Sequence, residues 1–405
     1  MTGSPQSCIV VGGGPAGMML GLLLARAGVT TTVLEKHGDF LRDFRGDTIH
    51  PSTLEVMYDL GLLDEFLKLP HQKVARINAQ FGETRFAVAD FSHLPVHARY
   101  IAMMPQWDFL KFLAAEGAKY PAFSLRMTTE ARDIVVRDGR VVGVRVESGE
   151  TLDADLVVAA DGRHSRLRDV SGLTVDALGA PMDVLWFRLS RRAADTEETV
   201  GRFDNGALLV MLNRGDYWQC AYVIPKNSID ALRAGGLEAF RARIARQTPF
   251  LADRLGELAN WDDAKLLSVA VDRMPTWWRP GLLFIGDAAH AMSPIGGIGI
   301  NLAVQDAVAA ANILAAPLAD GTLTDANLAA VQARRERPTR LTQQAQVFIQ
   351  NRVIAPTLAS RADQPLKPPF VVRMLALFPV LRRVPARLMG LGVQPEHVKT
   401  PAVSP

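Results

Sequence analysis

The sequence predicts an α/β fold (α+β overall) with a parallel sheet, a second unit rich in strands, and C-terminal helices. Three observations support this fold class. Short apolar runs at residues 8–11, 156–160 and 282–285 each end at a glycine or an aspartate. Such runs are typical of strands buried on both faces of a parallel sheet, whose carboxyl ends meet at one edge. We therefore expect the three motifs to converge on one ligand-binding edge.

The first motif has G-x-G-x-x-G spacing at Gly12, Gly14 and Gly17, between the first strand and an apolar helical run at residues 18–27. A second strand then leads to Glu35. Gly12 permits a tight turn, Gly14 lets backbone N–H groups approach a pyrophosphate, and Gly17 lets helix and strand pack closely. The helix N-terminus can bind the phosphates and Glu35 can accept from a ribose. The motif predicts dinucleotide binding, and the alternative is a glycine-rich loop without a ligand.

Composition indicates a globular enzyme of two or more domains, because 405 residues can bury a large core. A net charge of +3 does not indicate nucleic-acid binding, although residues 351–405 carry eight basic and two acidic side chains. Cys8 and Cys220 form no C-x-x-C pair, which argues against a disulfide scaffold, a dithiol flavoprotein or a metal site. The uncharged run at residues 8–25 lacks a basic leader, so we expect a cytoplasmic protein.

The loop before a helix predicted at residues 52–61 contains Arg42, Arg45, Asp47 and His50. One interpretation is that an arginine of this loop lies over a bound nucleotide. The alternative is a solvated surface loop. His50 could also act as a base on a phenolic substrate, because an imidazole titrates near neutrality. The alternative for His50 is a histidine exposed to water.

The second motif is Asp161-Gly162, with Arg163, Arg166 and Arg168 directly behind it. A lone Asp-Gly is usually a turn, but the basic side chains suit phosphate groups. The third motif is Gly286-Asp287, followed by a proline and a Gly-x-Gly turn that opens an alanine-rich helix. A carboxylate followed by a helix N-terminus repeats the arrangement of the first motif. We expect the later Asp306 to be structural.

The intervening segments predict a second, mixed sheet. Residues 74–101 and 182–225 contain short strand-like runs, and residues 229–258 form amphipathic helices. A helix is predicted from Pro105, with Gln106 at its start, and residues 123–160 resemble a strand meander.

In combination the three motifs resemble those of the class A, single-component flavin-dependent aromatic hydroxylases typified by para-hydroxybenzoate hydroxylase. The resemblance implies a Rossmann-like FAD-binding domain with an inserted mixed β-sheet substrate domain and C-terminal helices. The implied division is residues 1–73, 101–175 and 266–340 for the FAD-binding domain, 74–100 and 176–265 for the substrate domain, and 341–405 for a C-terminal helical segment.

The resemblance also implies roles for individual residues. Glu35 would bind the adenosine ribose, and Asp287 would bind the ribitol. Asp161 with Gly162 would serve both FAD and a nicotinamide donor, and Pro294 with residues 296–301 would line the isoalloxazine ring. The full implied set for FAD is Gly12, Gly14, Pro15, Ala16, Gly17, Glu35, Lys36, Arg45, Gln106, Asp161, Gly162, Asp287, Pro294, Gly297, Gly299, Ile300 and Asn301.

The implied activity is hydroxylation of an aromatic or polyketide-like molecule with NAD(P)H and O2, through a flavin C4a-hydroperoxide. The candidate catalytic residues are His50, Arg45 and Pro294. NADPH is favoured over NADH because of the arginines behind Asp161. Two alternatives stay open: a flavin dehydrogenase or reductase acting on an apolar lipid or polyketide, and a non-catalytic flavin-binding protein.

Two further predictions concern the substrate and the C-terminus. If the family architecture holds, the second sheet forms one wall of the substrate pocket, with candidate residues Arg188, Phe203, Asn205, Met211, Trp218 and Tyr222. Residues 365–390 are apolar and basic at once. We expect them to pack against the FAD-binding domain or a second subunit in a homodimer, because Pro379 and Pro385 interrupt the helix. Contact with an anionic membrane is the alternative.

Overall fold

The computed structural model describes residues 4–41, 48–196, 198–360 and 368–404. The strands in chain order are β1 (Cys8–Val11), β2 (Thr31–Leu34), β3 (Thr48–Ile49), β4 (Gln72–Val74), β5 (Arg76–Phe81), β6 (Thr84–Asp90), β7 (Ile101–Met103), β8 (Phe123–Arg126), β9 (Ala131–Arg137), β10 (Arg140–Val146), β11 (Thr151–Asp153), β12 (Leu156–Ala159), β13 (Asp176–Ala177), β14 (Met182–Ser190), β15 (Val200–Asp204), β16 (Ala207–Asn213), β17 (Tyr217–Pro225), β18 (Lys265–Leu267), β19 (Asp272–Arg273), β20 (Trp278–Arg279) and β21 (Leu282–Phe284).

The α-helices are α1 (Pro15–Arg26), α2 (Pro51–Asp59), α3 (Leu63–Phe66), α4 (Gln106–Gly117), α5 (Arg166–Ser171), α6 (Ile229–Ala234), α7 (Leu237–Gln247), α8 (Gly299–Ala319), α9 (Asp325–Ile349), α10 (Ala355–Ala359), α11 (Phe370–Leu377) and α12 (Arg383–Gly390). Short 3-10 turns lie at Phe91–His93, Pro249–Glu257, Trp261–Asp263, Gly286–Ala288, Ile295–Gly297 and Pro379–Arg382, and a π-helical turn lies at Gln350–Ile354.

A six-stranded sheet with the order β20-β21-β12-β1-β2-β8 forms the centre of the fold. Its strands are parallel except for the edge strand β20. The strand ends are in register, since Val11 pairs with Ala159 and Ala159 pairs with Phe284. The three motifs that follow β1, β12 and β21 therefore meet at one edge of the sheet, as the sequence predicts.

Helix α1 packs against α8 on one face of this sheet, and their apolar side chains form the largest core cluster of the described chain. The stretch Ile295–Ala319 is long and apolar enough to cross a membrane, but most of it is buried inside the fold. Burial of this kind is typical of the core helix of a globular protein, which is hydrophobic all round because every side is packed.

The second large sheet has seven strands in the order β18-β14-β17-β16-β15-β5-β6. Strand β15 is parallel to β5 and the other pairs are antiparallel, so the sheet is mixed, as predicted. One face packs on α7 and the Pro249–Glu257 turn through a core that includes Phe187 and Phe240. The opposite face of the seven-stranded sheet is turned toward the six-stranded sheet. The predicted domain boundaries themselves stay a prediction.

The C-terminal part of the chain crosses both sheets. Helix α9 continues through the π-helical turn into α10, and α11 and α12 then pack against β6. The described part of the apolar, basic segment thus contacts the seven-stranded sheet, and Ala386 and Met389 also pack with Ile101 and Met103 of the predicted FAD-binding domain, in agreement with the expected packing. The chain finally returns to α1, where Val403 N donates a hydrogen bond to Arg26 O.

Candidate active site

The glycine motif forms the turn between β1 and α1 in the way its spacing predicts. Gly12 has φ +111°, and a Cβ there would lie 2.4 Å from the carbonyl oxygen of Ala160. A Cβ on Gly17 would lie 1.9 Å from the carbonyl oxygen of Gly12. Gly14 is different, because a Cβ there would meet nothing within 4 Å. Gly12 and Gly17 therefore serve packing, while Gly14 leaves open space over the helix N-terminus.

The N-terminus of α1 faces that open space. Pro15 is the first helical residue and has no N–H, and the hydrogen bond from Met18 N to Gly14 O is 2.9 Å long. The N–H groups of Ala16 and Gly17 precede this bond, so they have no partner within the helix. Gly12, Gly14, Pro15 and Ala16 line the large cavity described below, while Gly17 is buried behind them. This end of α1 is suited to binding an anion.

Glu35 lies at the end of β2, directly across from the glycine turn. Its Oε2 accepts a hydrogen bond from Gly13 N at 3.0 Å, and its Oε1 accepts one from His37 N at 2.9 Å. These two bonds fix the carboxylate at the cavity wall, which Glu35 and Lys36 both line. The arrangement places an acceptor where a ribose attached to a bound pyrophosphate would reach it.

Asp161, Arg163 and Asp287 bring the second and third motifs together. Arg163 Nη2 donates to Asp287 Oδ2 at 3.2 Å, and Leu167 N donates to Asp161 Oδ2 at 3.2 Å. Burial raises the pKa of Asp161 above its ordinary value, and hydrogen bonds oppose this only in part. Asp161 Oδ1 and Arg163 Nη1 are buried and have no hydrogen-bond partner among the described residues. Buried polar atoms are normally paired, so these two point to a polar ligand.

The basic cluster behind Asp161 is divided between the cavity and the protein interior. Gly162, Arg163 and Arg166 line the cavity. Arg168 turns away from it and donates to the carbonyl oxygens of Arg163 and Ala288 at 2.8 and 3.4 Å. Arg168 therefore holds the two motifs together and is not available to a phosphate, which corrects the expectation for this residue.

A tight loop between Ser293 and Gly299 forms the wall next to the third motif. Gly296 and Gly297 have φ values of +77° and +64°, which glycine adopts without strain. Thr48 Oγ1 donates to Gly297 O at 2.8 Å and so ties the loop to β3. Helix α8 begins at Gly299, where a Cβ would meet nothing within 4 Å, so its first N–H groups are accessible. The cavity is lined by Pro294, Gly297, Gly299 and Ile300.

Asn301 does not line the cavity, contrary to expectation. Its side chain is buried, and its Oδ1 accepts hydrogen bonds from the hydroxyl groups of Ser52 and Thr53 on α2. Gln305, one helical turn later, donates to Ser52 and to Leu391 O. The Asn301 side chain thus joins α8 to α2, and only its backbone N–H remains for a ligand.

Three glutamines on α9 and the π-helical turn hold this loop and the strand segment before it from behind, and sequence reasoning missed them. Gln346 donates to Ser293 O at 2.9 Å and Ile295 O at 3.0 Å, and it accepts from Ser293 N. Gln350 donates to Ser293 Oγ, and Gln343 donates to Asp272 O and Ala291 O. Their spacing of three and four residues on one helix face was the available signal.

A buried ionic network supports the third motif. Asp306 accepts from Gly286 N at 3.0 Å, from His290 Nε2 at 2.6 Å and from Arg335 Nε at 2.9 Å. Burial alone would raise the pKa of Asp306, but His290 and Arg335 outweigh it and hold the pKa below its ordinary value. Arg335 also contacts Glu396 at 3.2 Å, so the C-terminal chain closes the network. Asp306 is completely buried, which agrees with the expected structural role.

His50 is not placed to act as a base. It is the N-cap residue of α2 and is completely buried, and it does not line the cavity. Burial lowers the pKa of His50 to about 4, and the backbone groups of Met389, Gly297 and Gly296 oppose this only weakly. Without access to the cavity, His50 cannot take a proton from a substrate bound there, and its lowered pKa also makes it a weaker base than an ordinary imidazole. This corrects the catalytic role considered for His50.

The motif edge and the seven-stranded sheet enclose one continuous cavity of about 1290 Å³. Gln106, the first residue of α4, lies on its wall with the glycine motif and the loop before α8. Arg45, predicted to contact the cofactor, lies outside the described residues. The sheet contributes Met182, Val184, Trp186, Gly201, Phe203, Leu208, Val210, Leu212, Gln219, Ala221 and Val223.

Of the six predicted substrate residues, the structure brings Phe203 to this cavity. Met211, Trp218 and Tyr222 belong to the core on the other face of the sheet, because side chains alternate along a strand. Arg188 lies beyond the cavity with its guanidinium over the ring of Tyr217, and Asn205 lies in the turn after β15. The expectation for these five residues was therefore wrong. The polar residues Asn78, Trp186 and Gln219 of this sheet also line the cavity, and the sequence reasoning missed them.

The residues around the motif edge fit FAD. The Glu35 carboxylate, the N-terminus of α1 and the Asp287 carboxylate suit a ribose, a pyrophosphate and a ribitol, respectively, and the unpaired polar atoms of Asp161 and Arg163 lie beside Asp287. The open glycines at Gly14, Gly162 and Gly299 leave room for close backbone contact. A ring lying at the Pro294 loop would then face the apolar sheet wall, which leaves the remaining volume for a substrate.

Comparison with known proteins agrees with this geometry. A family model described as "FAD binding domain" matches residues 6–345. A 6-methylpretetramide 4-monooxygenase from Streptomyces rimosus is 32% identical over 397 residues, which cover 95% of each chain. A rifampicin monooxygenase from Rhodococcus hoagii is 28% identical over 316 residues, which cover 74% of this chain and 61% of the relative.

Solved structures show the same fold. PqsL from Pseudomonas aeruginosa, described as a probable FAD-dependent monooxygenase, superposes with a TM-score of 0.73 at 22% identity over 87% of this chain and 96% of its own. The tetrameric form of 2-methyl-3-hydroxypyridine-5-carboxylic acid oxygenase gives 0.72 at 21% identity over 94% and 98%. The solved structures thus confirm the predicted fold class, while the family model and the S. rimosus relative confirm the FAD cofactor and the enzyme class. The chain belongs to the class A family of FAD-dependent aromatic monooxygenases.

Proposed function

We propose that this monooxygenase uses NAD(P)H and O2 to hydroxylate an apolar aromatic or polyketide-like molecule, bound between the loop at Pro294 and the seven-stranded sheet. The observation that carries the proposal is the continuity of the cavity. Its motif end is polar and suits FAD, while its sheet end is lined by apolar side chains such as Val184, Val210 and Phe203. An apolar wall of this kind recognises an apolar ring system through burial of surface.

FAD would be held by the residues that line the motif end. Glu35 would bind the adenosine ribose, the N–H groups of α1 the pyrophosphate, and Asp287 the ribitol. The loop at Pro294 and the first N–H groups of α8 would face the isoalloxazine ring and stabilise negative charge on it. When bound, FAD supplies the oxidation–reduction chemistry, namely reduction by a nicotinamide nucleotide and activation of O2.

The electron donor would bind transiently beside Asp161 and Gly162. Arg163 and Arg166 line the cavity there and could contact phosphate groups. This basic environment supports NADPH over NADH. Stopped-flow measurement of flavin reduction with each nucleotide tests this choice, and faster reduction by NADH at equal concentration would overturn it.

The chain contributes orientation and water exclusion more than acid–base chemistry. Among the described residues on the sheet half of the cavity, Arg352 is the only titratable one, and it lies in the π-helical turn after α9. Arg352 makes no ion pair within the described part of the chain, so it is free to contact an anionic or carbonyl oxygen of the substrate. The apolar walls would exclude water from the reacting centre.

Oxygen-consumption measurements with a panel of aromatic and polyketide substrates test the function. We expect a yellow protein whose NAD(P)H oxidation is coupled to O2 uptake by a true substrate, with one atom from labelled O2 in the product. A dehydrogenase would instead show flavin reduction by the substrate itself, and a binding protein would show neither reaction. The name of the S. rimosus relative, a 4-monooxygenase, supports oxygen insertion over these alternatives.

A further inference from the structure

The segment that borders the sheet end of the cavity exposes an unusual amount of apolar surface. We call residues 368–390 the C-terminal cover; they comprise α11, the Pro379–Arg382 turn and α12. Eight of the eighteen large apolar side chains exposed in the described chain belong to it: Phe370, Val371, Leu377, Phe378, Val380, Leu381, Val384 and Leu388. Single exposed apolar residues are ordinary, but a concentration of this size marks an interaction surface.

The same surface is positively charged. Arg373, Arg383 and Arg387 are exposed and form no ion pair within the described residues. The described part of the chain from residue 368 to residue 395 contains no aspartate or glutamate. Apolar side chains among unpaired arginines are the combination that binds an anionic lipid surface, where the arginines meet headgroups and the apolar side chains enter the acyl boundary.

Two short helices make one continuous face here, although prolines separate them in the sequence. Both α11 and α12 pack against β6, and each contacts the Pro379–Arg382 turn between them. Arg382 donates to the carbonyl oxygens of Leu375 and Ala376, which ties the turn to the end of α11. Pro379 and Pro385 therefore shape the surface and do not divide it, contrary to the sequence-based argument against a membrane contact.

The surface is also continuous with the cavity. Phe370, Val371 and Leu388 belong to the exposed set and also line the cavity, as do Phe348 and Ile349 on α9. Arg352 lies on the same wall and is exposed. The cavity thus opens through an apolar rim directly onto the arginine-bearing face, and a molecule dissolved in a lipid phase could enter without crossing water.

We propose that the C-terminal cover docks on an anionic lipid surface and that the cavity receives its apolar substrate from that phase. The docking is independent of the proposed function, while the delivery of substrate rests on it. A second copy of this chain is a poorer occupant. A symmetric contact would place the arginine-bearing face against itself without a matching acid, and it would cover the cavity mouth.

Vesicle flotation of the FAD-loaded full-length protein tests the docking. Vesicles of phosphatidylcholine alone are compared with vesicles that also contain phosphatidylglycerol, at low and at high salt, with protein detected by staining and by flavin absorbance. We expect co-flotation with the anionic vesicles at low salt, weakened by added salt. Absence of co-flotation with anionic vesicles would overturn the proposal.

Two triple variants separate the apolar and the charged contributions. Leu377→Ser, Phe378→Ser and Val380→Ser change exposed side chains that do not line the cavity, and should reduce vesicle partitioning at least about tenfold. Arg373→Gln, Arg383→Gln and Arg387→Gln should reduce it by about a hundredfold on anionic vesicles, since each arginine near such a surface contributes about fivefold.

The matched control for charge is Arg145→Gln, Arg246→Gln and Arg337→Gln, three exposed arginines elsewhere without ion pairs in the described chain. It removes the same net charge and should partition as wild type does. Equal partitioning of the wild type and either cover variant, with unchanged circular dichroism, would contradict the proposal. So would a dimer in light scattering that the serine variant converts to monomer, since that result assigns the surface to a second copy.

A final measurement distinguishes the docking from the proposed activity. Turnover is measured with one substrate supplied either in detergent-free solution or in anionic vesicles. If docking is correct, the arginine variant loses the rate gained from vesicles but keeps the rate in solution. If no substrate turns over in either form while flotation behaves as expected, the docking stands and the proposed hydroxylation fails.

Discussion

Arg163 donates a hydrogen bond to the carboxylate of Asp287 over 3.2 Å, although the two residues follow different strands and lie 124 positions apart. The parallel pairing of β12 with β21 brings them together, because it aligns the two strand ends. Arg163 keeps a second terminal nitrogen unpaired and buried next to this contact. The pair therefore presents a fixed acceptor and a fixed donor to the same part of the cavity.

We expect Asp287→Ala to weaken FAD binding without unfolding the protein. The ribitol would lose a charge-assisted hydrogen bond of roughly 1.5–3 kcal/mol, which corresponds to roughly ten- to a hundredfold in Kd. Fluorescence titration of apoprotein with FAD measures the effect. Asp169→Ala, which removes a carboxylate from α5 outside the cavity lining, is the control. An unchanged Kd for the Asp287 variant would show that this residue does not hold the ribitol.

Alanine substitutions at two glycines of the glycine motif should affect stability and FAD binding in different ways. Gly17→Ala should destabilise the fold by several kcal/mol or prevent folding, because its Cβ would lie 1.9 Å from Gly12 O. Gly14→Ala should change stability by less than about 1 kcal/mol, because its Cβ has open space, but it should lower FAD affinity by occupying that space. Thermal melting and FAD titration of both variants check this. Equal loss of stability would contradict the assignment of Gly14 to the ligand.

We expect the free energy of unfolding to decrease as the pH falls from the pKa of His50 in the unfolded chain to its lower pKa in the folded protein. In the unfolded chain its pKa is about 6.5, and burial lowers the folded value to about 4, so the unfolded state binds more protons between these values. Unfolding is then favoured progressively below pH 6.5, by roughly 3 kcal/mol once the pH reaches about 4.

His50→Gln isolates this effect, because the other titrating groups remain. The free energy of unfolding from urea titrations should fall less steeply for the variant than for the wild type over that range. Parallel pH profiles for the two proteins would mean that His50 titrates normally in the folded state.

Substitutions at two adjacent residues of β17 should have different effects, because their side chains lie on opposite faces of the seven-stranded sheet. Ala221 lines the cavity, whereas Cys220 is buried in the core beside α7. Ala221→Phe should fill the cavity and raise the KM for substrate with little change in melting temperature. Cys220→Phe should overpack the core and cost about 1–3 kcal/mol, with KM unchanged in the folded fraction. Oxygen-uptake kinetics and thermal melting distinguish the outcomes, and the reversed pattern would show that the faces are assigned wrongly.

The motif edge of the fold was predictable because its signals are local. Apolar runs that end at Gly12, Asp161 and Gly286 indicate parallel strands, and parallel strands necessarily present their carboxyl ends at one edge. The meeting of the glycine motif, Asp161 and Asp287 follows from that geometry alone. The composition and spacing of these segments therefore determined the sheet and the cofactor edge, and the resemblance of the three motifs to those of a known family identified the enzyme class.

The local sequence could not predict which residues of the seven-stranded sheet line the substrate end of the cavity. In β14, β16 and β17 both faces are apolar, so alternation cannot tell which face packs on α7 and which faces the cavity. The position of α7 decides which face becomes the core. Met211, Trp218 and Tyr222 lie on the face that packs on α7, so they do not line the site.

The remaining differences have the same physical origin, which is long-range packing. His50 lies in a polar loop by sequence, yet it is buried near the backbone of Gly297 and Met389, and Met389 comes from the distant C-terminal cover. Gln346 reaches the loop at Ser293 across 53 positions. Burial and hydrogen-bond partners at such separations depend on how helices dock on sheets, so only the tertiary structure decided which polar side chains serve the ligand and which hold the fold together.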